Sequence, residues 1–116
     1  MTMALCTVRE KGDCLIVTLP VSLDHVEAMA LEKELREYVA REPKALLCDM
    51  SGSEYISSSG LRVFLAIGKK AKESHVHFGV FALTKFVDHI ISMTGFTQII
   101  AIYDTEEAAV RAVSRL

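Results

Sequence analysis

Between Asp49 and Leu61 the chain reads Asp-Met-Ser-Gly-Ser-Glu-Tyr-Ile-Ser-Ser-Ser-Gly-Leu. Ser57, Ser58 and Ser59 place three hydroxyls in a row where an extended piece is expected to turn into a helix. A helix start carries free backbone N–H groups and the positive end of the dipole. An anion is favoured there, and so is a phosphate attached to a local serine. Ser57 or Ser58 is the expected cap, and Gly60 lets backbone and partner approach closely. A serine run before a helix also serves as a plain cap, so the local pattern alone leaves both roles open.

Other chemistries find less support. The hydrolase elbow G-x-S-x-G is absent, and no motif ties His25, His75, His77 or His89 to the serines as a base. His75 and His77 alternate at the start of an expected strand, which puts them on one face as a possible metal pair or as two exposed edge positions. Asp24–His25 and Asp88–His89 are neighbours on helices and do not face each other. Phosphate-binding glycine motifs are missing. Asp49 ends a strand, but a phospho-acceptor aspartate needs further acids for a metal, and Glu10 and Asp13 lie in a hairpin turn. Cys6, Cys14 and Cys48 are odd in number, sit in apolar segments and have no C-x-x-C spacing. They read as small buried hydrophobes in a reducing compartment, with neither a disulfide frame nor a zinc site.

The elements that hold the serines follow from periodicity. Residues 4–10 and 14–19 read as two strands around the turn Glu10–Asp13. Asp24 with Glu27 makes a capping box for a helix over about 25–41, with Ala28, Leu31, Leu35, Tyr38 and Val39 as its buried stripe. Glu32–Arg36 and Glu37–Arg41 are i,i+4 pairs on its wet side. Ala45–Met50 is nearly all apolar and suits a strand covered on both faces. Tyr55-Ile56 is a brief extended piece, followed by a helix to Glu73. Val76–Phe81 is a strand. Thr84 caps a helix with Phe86, Ile90 and Met93, and Gly95 ends it; with Phe81 these are assigned to the core, the alternative being an apolar helix face presented to a partner. Ile99–Tyr103 is the last strand, and Asp104 with Glu107 opens a terminal helix. The order ββαβαβαβα, with about four helices, implies an α/β fold: a mostly parallel sheet with an N-terminal antiparallel hairpin strand. Function in such sheets gathers at the carboxyl ends of the strands, here Val21–Asp24, Ser51–Gly60 and Leu83–Lys85.

The 116 residues make room for one domain, 1–116, and 51% hydrophobic residues suffice for a core. A net charge of −2, without charge blocks, offers no basic field for a nucleic acid. No apolar run approaches a membrane span, and the N-terminus lacks the features of a secretory signal. A cytoplasmic location is expected.

The segment Asp49–Leu61 resembles the switch region of the STAS domain family, the anti-sigma-factor antagonists, whose pattern is approximately D-L-S-G-V-x-F-I-D-S-S-G-L. The matches are Asp49, Ser51, Gly52, Ile56, Ser58, Ser59, Gly60 and Leu61, with Met50 and Tyr55 conservative. Leu23-Asp24 before the first helix, Leu15–Leu19, Glu106-Glu107-Ala108 and the element order extend the likeness over essentially the whole chain. The resemblance implies a STAS fold and a non-enzymatic binding protein without cofactor or metal. It implies phosphorylation at Ser58, with Ser57 and Ser59 as alternates, and partner contacts at Ser22, Leu23, Asp24, Ser57, Ser58, Ser59, Gly60 and Arg62. The implied partners are an anti-sigma factor that is also a serine kinase, bound by the unphosphorylated form so that a sigma factor is freed, and a metal-dependent serine phosphatase. Arg62, in the first turn after the serines, is either a phosphate contact or a solvated surface residue.

Two positions depart from the pattern. Ser57 replaces the aspartate before the phosphoserine, which weakens a kinase site that reads that acid or spreads the phosphate over Ser57, Ser58 and Ser59. Val21 replaces a glycine and stiffens the loop before Leu23. A second reading is a STAS subunit of another complex, such as a lipid-transport ATPase or a stressosome-like assembly, that binds without phosphorylation. A third is a small-molecule-binding or catalytic α/β domain, which would need a buried pocket with convergent polar groups.

Overall fold

The computed structural model describes residues 6–95 and 99–116, without the side chains of His25 and Val26. Strands β1 (Thr7–Lys11) and β2 (Cys14–Thr18) form the expected antiparallel hairpin. Its turn is tighter than the sequence suggested: Glu10 and Lys11 remain in the strand, and Gly12 takes a φ of 61°, the left-handed conformation that glycine adopts without strain. Residues 1–5 of the expected first strand and its surroundings lie outside the described residues.

Strands β4 (Ala45–Asp49), β6 (His77–Phe81) and β7 (Ala101–Tyr103) complete a five-stranded sheet of order β1-β2-β4-β6-β7, parallel except for the first pair. Two further strands of two residues each, β3 (Ser22–Leu23) and β5 (Tyr55–Ile56), pair in parallel as a separate ladder. Among the described residues the helices are α1 (His25–Ala40), α2 (Ser58–Glu73), α3 (Lys85–Met93) and α4 (Glu106–Ser114).

Alternation along β4 shows why its run is apolar throughout. Leu46 and Cys48 face a core filled by Leu31 and Leu35 of α1 and by Val63, Phe64 and Ile67 of α2. Ala45 and Leu47 face the other side, where Ala109 and Val113 of α4 cover them. Helix α3 adds Val87 and Ile91 to the first core. All three cysteines are buried and free, as the sequence implied. Desolvation pushes the Cys6 thiol up to about 12 and raises those of Cys14 and, most strongly, Cys48.

Several local expectations shift by a residue or change partner. Thr105, not Asp104, caps α4, its hydroxyl accepting from Ala108 N at 3.1 Å; both residue types cap well, so sequence alone does not separate them. The last strand starts at Ala101 rather than Ile99. Glu32–Arg36 forms at 3.0 Å, and the Arg41 guanidinium lies 5.2 Å from the centre of the Tyr38 ring. Phe81 is buried and Ile90 packs against the core, whereas Phe86 and Met93 are exposed. A nine-residue helix seated by Val87 and Ile91 cannot turn every apolar residue inward.

Candidate functional site

The loop Pro20–Asp24 and the segment Ser53–Gly60 are bolted together by hydrogen bonds. Ser53, fully buried, donates its hydroxyl to Pro20 O at 2.7 Å. Glu54 N donates to Val21 O at 2.9 Å, and Ser57 N donates to Leu23 O at 3.0 Å. The β3–β5 register sets Ser22 beside Tyr55 and Leu23 beside Ile56. These two-residue strands bring together two of the three strand-end segments that the sequence marked.

Ser57 is the cap of α2. Its hydroxyl accepts from Gly60 N at 3.2 Å and donates to Leu23 O at 2.7 Å. An aspartate here would accept from Gly60 but could not donate to Leu23 when ionised. Gly60 is needed for closeness: a Cβ would stand 3.0 Å from Ile56 Cγ1 and 3.1 Å from Leu23 O. Leu23 is fully buried, and so positions the loop from beneath instead of offering its side chain. Asp24 caps α1 through Oδ1, which accepts from Glu27 N at 3.2 Å.

Ser58 is exposed on the first residue of α2, while Ser59 is half-buried. Arg62 is exposed one turn further along and flanks a shallow groove with Ser59, Ala28, Met29 and Val63. The site thus gathers Ser22, Leu23, Asp24, Ser57, Ser58, Ser59, Gly60 and Arg62 at one end of the fold. The third segment joins it through an aromatic contact that the sequence did not reveal. Tyr55 and Phe86 stack with ring centres 6.5 Å apart and planes 16° apart.

The remaining candidates are placed elsewhere or are occupied with local structure. Asp49 Oδ1 accepts from Ser51 N at 2.9 Å and shapes its own turn. His77 opens β6 beside Ala45, at the opposite end of the strands from the serines. Its Nε2 lies 2.8 Å from Tyr103 Oη, and burial lowers its pKa. His75 sits in a turn with a φ of 59°, outside the strand, so the expected alternation with His77 on one strand face does not form. Among the described residues no group of three or more His, Cys, Asp or Glu side chains could hold a metal. The described groove bordered by Gly68, Lys69, Lys72 and Phe78 is open and lies at that far end. No described helix is long and apolar enough to cross a membrane.

Comparison with known proteins agrees with this architecture. The family model of the STAS domain matches residues 6–109. The anti-sigma-F factor antagonist RsfB of Mycobacterium tuberculosis is 30% identical over 107 residues, covering 92% of this chain and 87% of that protein. The crystal structure of an anti-sigma factor antagonist from Mycobacterium paratuberculosis superposes with a TM-score of 0.84 at 31% identity, covering 94% of this chain and 92% of that one. The phosphorylated form of the Bacillus cell fate determinant SpoIIAA shares the fold, with a TM-score of 0.68 at 12% identity over 93% of this chain and 98% of that one. With a five-stranded sheet opened by an antiparallel pair, four described helices and a family match over nearly its whole length, the chain belongs to the STAS domain family.

Proposed function

We propose that this protein is an anti-sigma factor antagonist switched by phosphorylation at Ser58. Unphosphorylated, it binds an anti-sigma factor that is also a serine kinase, and so frees a sigma factor. Phosphorylated, it lets go, and a metal-dependent serine phosphatase resets it. It acts in the cytoplasm as a single STAS domain, as a binding protein and not an enzyme. The contact surface is Ser22, Leu23, Asp24, Ser57, Ser58, Ser59, Gly60 and Arg62, with Leu23 and Gly60 contributing through the backbone positions that they fix.

One observation carries this reading. Ser58 is exposed at the start of α2, beside neighbours whose bonds hold the loops together. A phosphate there adds about −1.5 to −2 charges. The helix start tolerates that charge, so the fold need not change. A partner packed on the same spot meets added bulk and a charge that loses its water, which is costly when nothing pairs with it. Ser57 is a poorer acceptor, because modifying its hydroxyl would break the bonds to both Leu23 and Gly60. Ser59 is half-buried and has an interaction of its own. Ser58 is therefore favoured over both alternates.

Trypsin cleavage after Lys44 and Arg62 releases Ala45–Arg62, which contains every serine of the switch segment. Tandem mass spectrometry of protein from its own cells is expected to place a phosphate on Ser58. Ser58→Asp is expected to weaken binding of the anti-sigma factor with the fold intact, and Ser58→Ala to bind constitutively. Equal binding by both variants, with no phosphate under growth, starvation or stress, would turn the assignment to a STAS subunit that binds without being switched.

A further inference from the structure

Helix α3 has two apolar sides. Val87 and Ile91 face the core. Phe86, Ile90 and Met93, spaced four and three residues apart, line another side, where Phe86 is 51% and Met93 72% exposed. Tyr55, itself 49% exposed, extends this line by stacking on Phe86. Val21, 60% exposed, precedes Ser22, which the β3–β5 register sets beside Tyr55. A solvent-facing helix side ordinarily carries polar residues, and a contiguous apolar rim of this kind marks a contact surface.

We infer that this rim is the phosphate-independent half of the partner interface, covered by the same anti-sigma factor that meets Ser58. The inference rests on the reading given under Proposed function. Area selects the occupant. Each ring leaves about half of its surface to solvent, on the order of 100 Å². The four exposed side chains together offer on the order of 400 Å². A stable interface takes about 800 Å² from each side. The rim alone is thus too small to hold two copies of this chain together. The missing half adjoins it, because Tyr55 lies two residues before Ser57 and beside Ser22. One partner spanning both halves covers more surface than the rim offers alone. The exposed aromatics supply affinity in the manner of interface anchors, and the serines supply the switch.

The test titrates the purified anti-sigma factor of the same cells with wild type, Tyr55→Ala, Phe86→Ala, Ser58→Asp and Lys69→Ala by calorimetry. Tyr55→Ala and Phe86→Ala are expected to weaken binding roughly tenfold or more each, and Lys69→Ala, at the far end, not at all. Phe86→Leu keeps an apolar side chain on α3 and is expected to keep the thermal unfolding midpoint while still losing affinity. This separates lost contact from lost fold. If Ser58→Asp weakens binding but the ring variants bind like wild type, the rim inference fails and the switch reading stands. If Ser58→Asp binds like wild type, the switch reading fails whatever the rings do. If wild type sediments as a dimer that Phe86→Ala converts to monomer, the rim is a contact between copies and the inference is overturned.

Discussion

Replacing Ser57 by alanine removes a donor and an acceptor at one point. Gly60 N loses its cap and Leu23 O loses its hydroxyl donor while keeping the Ser57 amide. Loss of a helix cap and one further hydrogen bond is expected to cost about 1–2 kcal/mol in urea denaturation. Ser57→Asp retains an acceptor for Gly60 but sets a carboxylate against the Leu23 carbonyl, and is expected to recover only part of that loss. Ser57→Thr, which keeps both roles, is expected to lie close to wild type. A ranking with aspartate above serine would remove the dual role assigned to this hydroxyl. The sequence marked the position as a departure from the family pattern. It could not show what the departure does, because Leu23 and Ser57 are 34 residues apart and the bond between them follows from the pairing of two-residue strands. Segments that short carry no periodicity to read.

At the scale of elements, α4 is tied to the hairpin edge by charge. Glu106, the first residue of α4, accepts from Arg9 Nη2 and, at 3.1 Å, from Arg9 Nη1, and it also meets Lys11 Nζ at 3.0 Å. The hydrogen bond from Arg9, aided by that from Lys11, lowers the Glu106 pKa to about 2. The folded form therefore prefers the carboxylate more than the unfolded chain does. The resulting stability is fully present above the ordinary value of 4.5 and is lost as pH falls from there through about 2. Solvent screens the cluster, so the contribution is expected to stay below about 1 kcal/mol and to shrink in salt. Denaturant titrations of wild type and Glu106→Gln between those pH values should converge in acid; a constant difference would assign the effect to packing. Elements with one dominant period were legible, including the stripe of α1, the hairpin and the apolar β4. The outward side of α3 was not, since Phe86, Ile90 and Met93 share one helical spacing whether they face a core or a partner.

For the whole molecule, the buried cysteines report on opening. Cys48 is wholly inaccessible between the sheet and its helices, and Cys6 and Cys14 retain 8% and 4% exposure. Burial disfavours all three thiolates. Native protein at pH 8 is expected to react with a thiol reagent over the timescale of opening, and to modify three thiols promptly once denatured. Prompt reaction of Cys48 in the native state would mean that the sheet opens far more readily than its packing implies. The sheet order itself was legible only as a class. The sequence shows alternating strands and helices, hence parallel crossovers, while the register that brings the three strand-end segments to one rim emerges only when the chain is assembled.

The bonds from Ser53, Glu54 and Ser57 to the Pro20–Leu23 loop have a kinetic consequence. Both loops are set before any encounter, so a partner need not wait for them to order, and association proceeds at the rate of docking two rigid patches. Tuning then falls on residence time. On the proposed switch, a phosphate at Ser58 would act mainly by shortening the life of the complex, and the signal would be written in how long two proteins stay together.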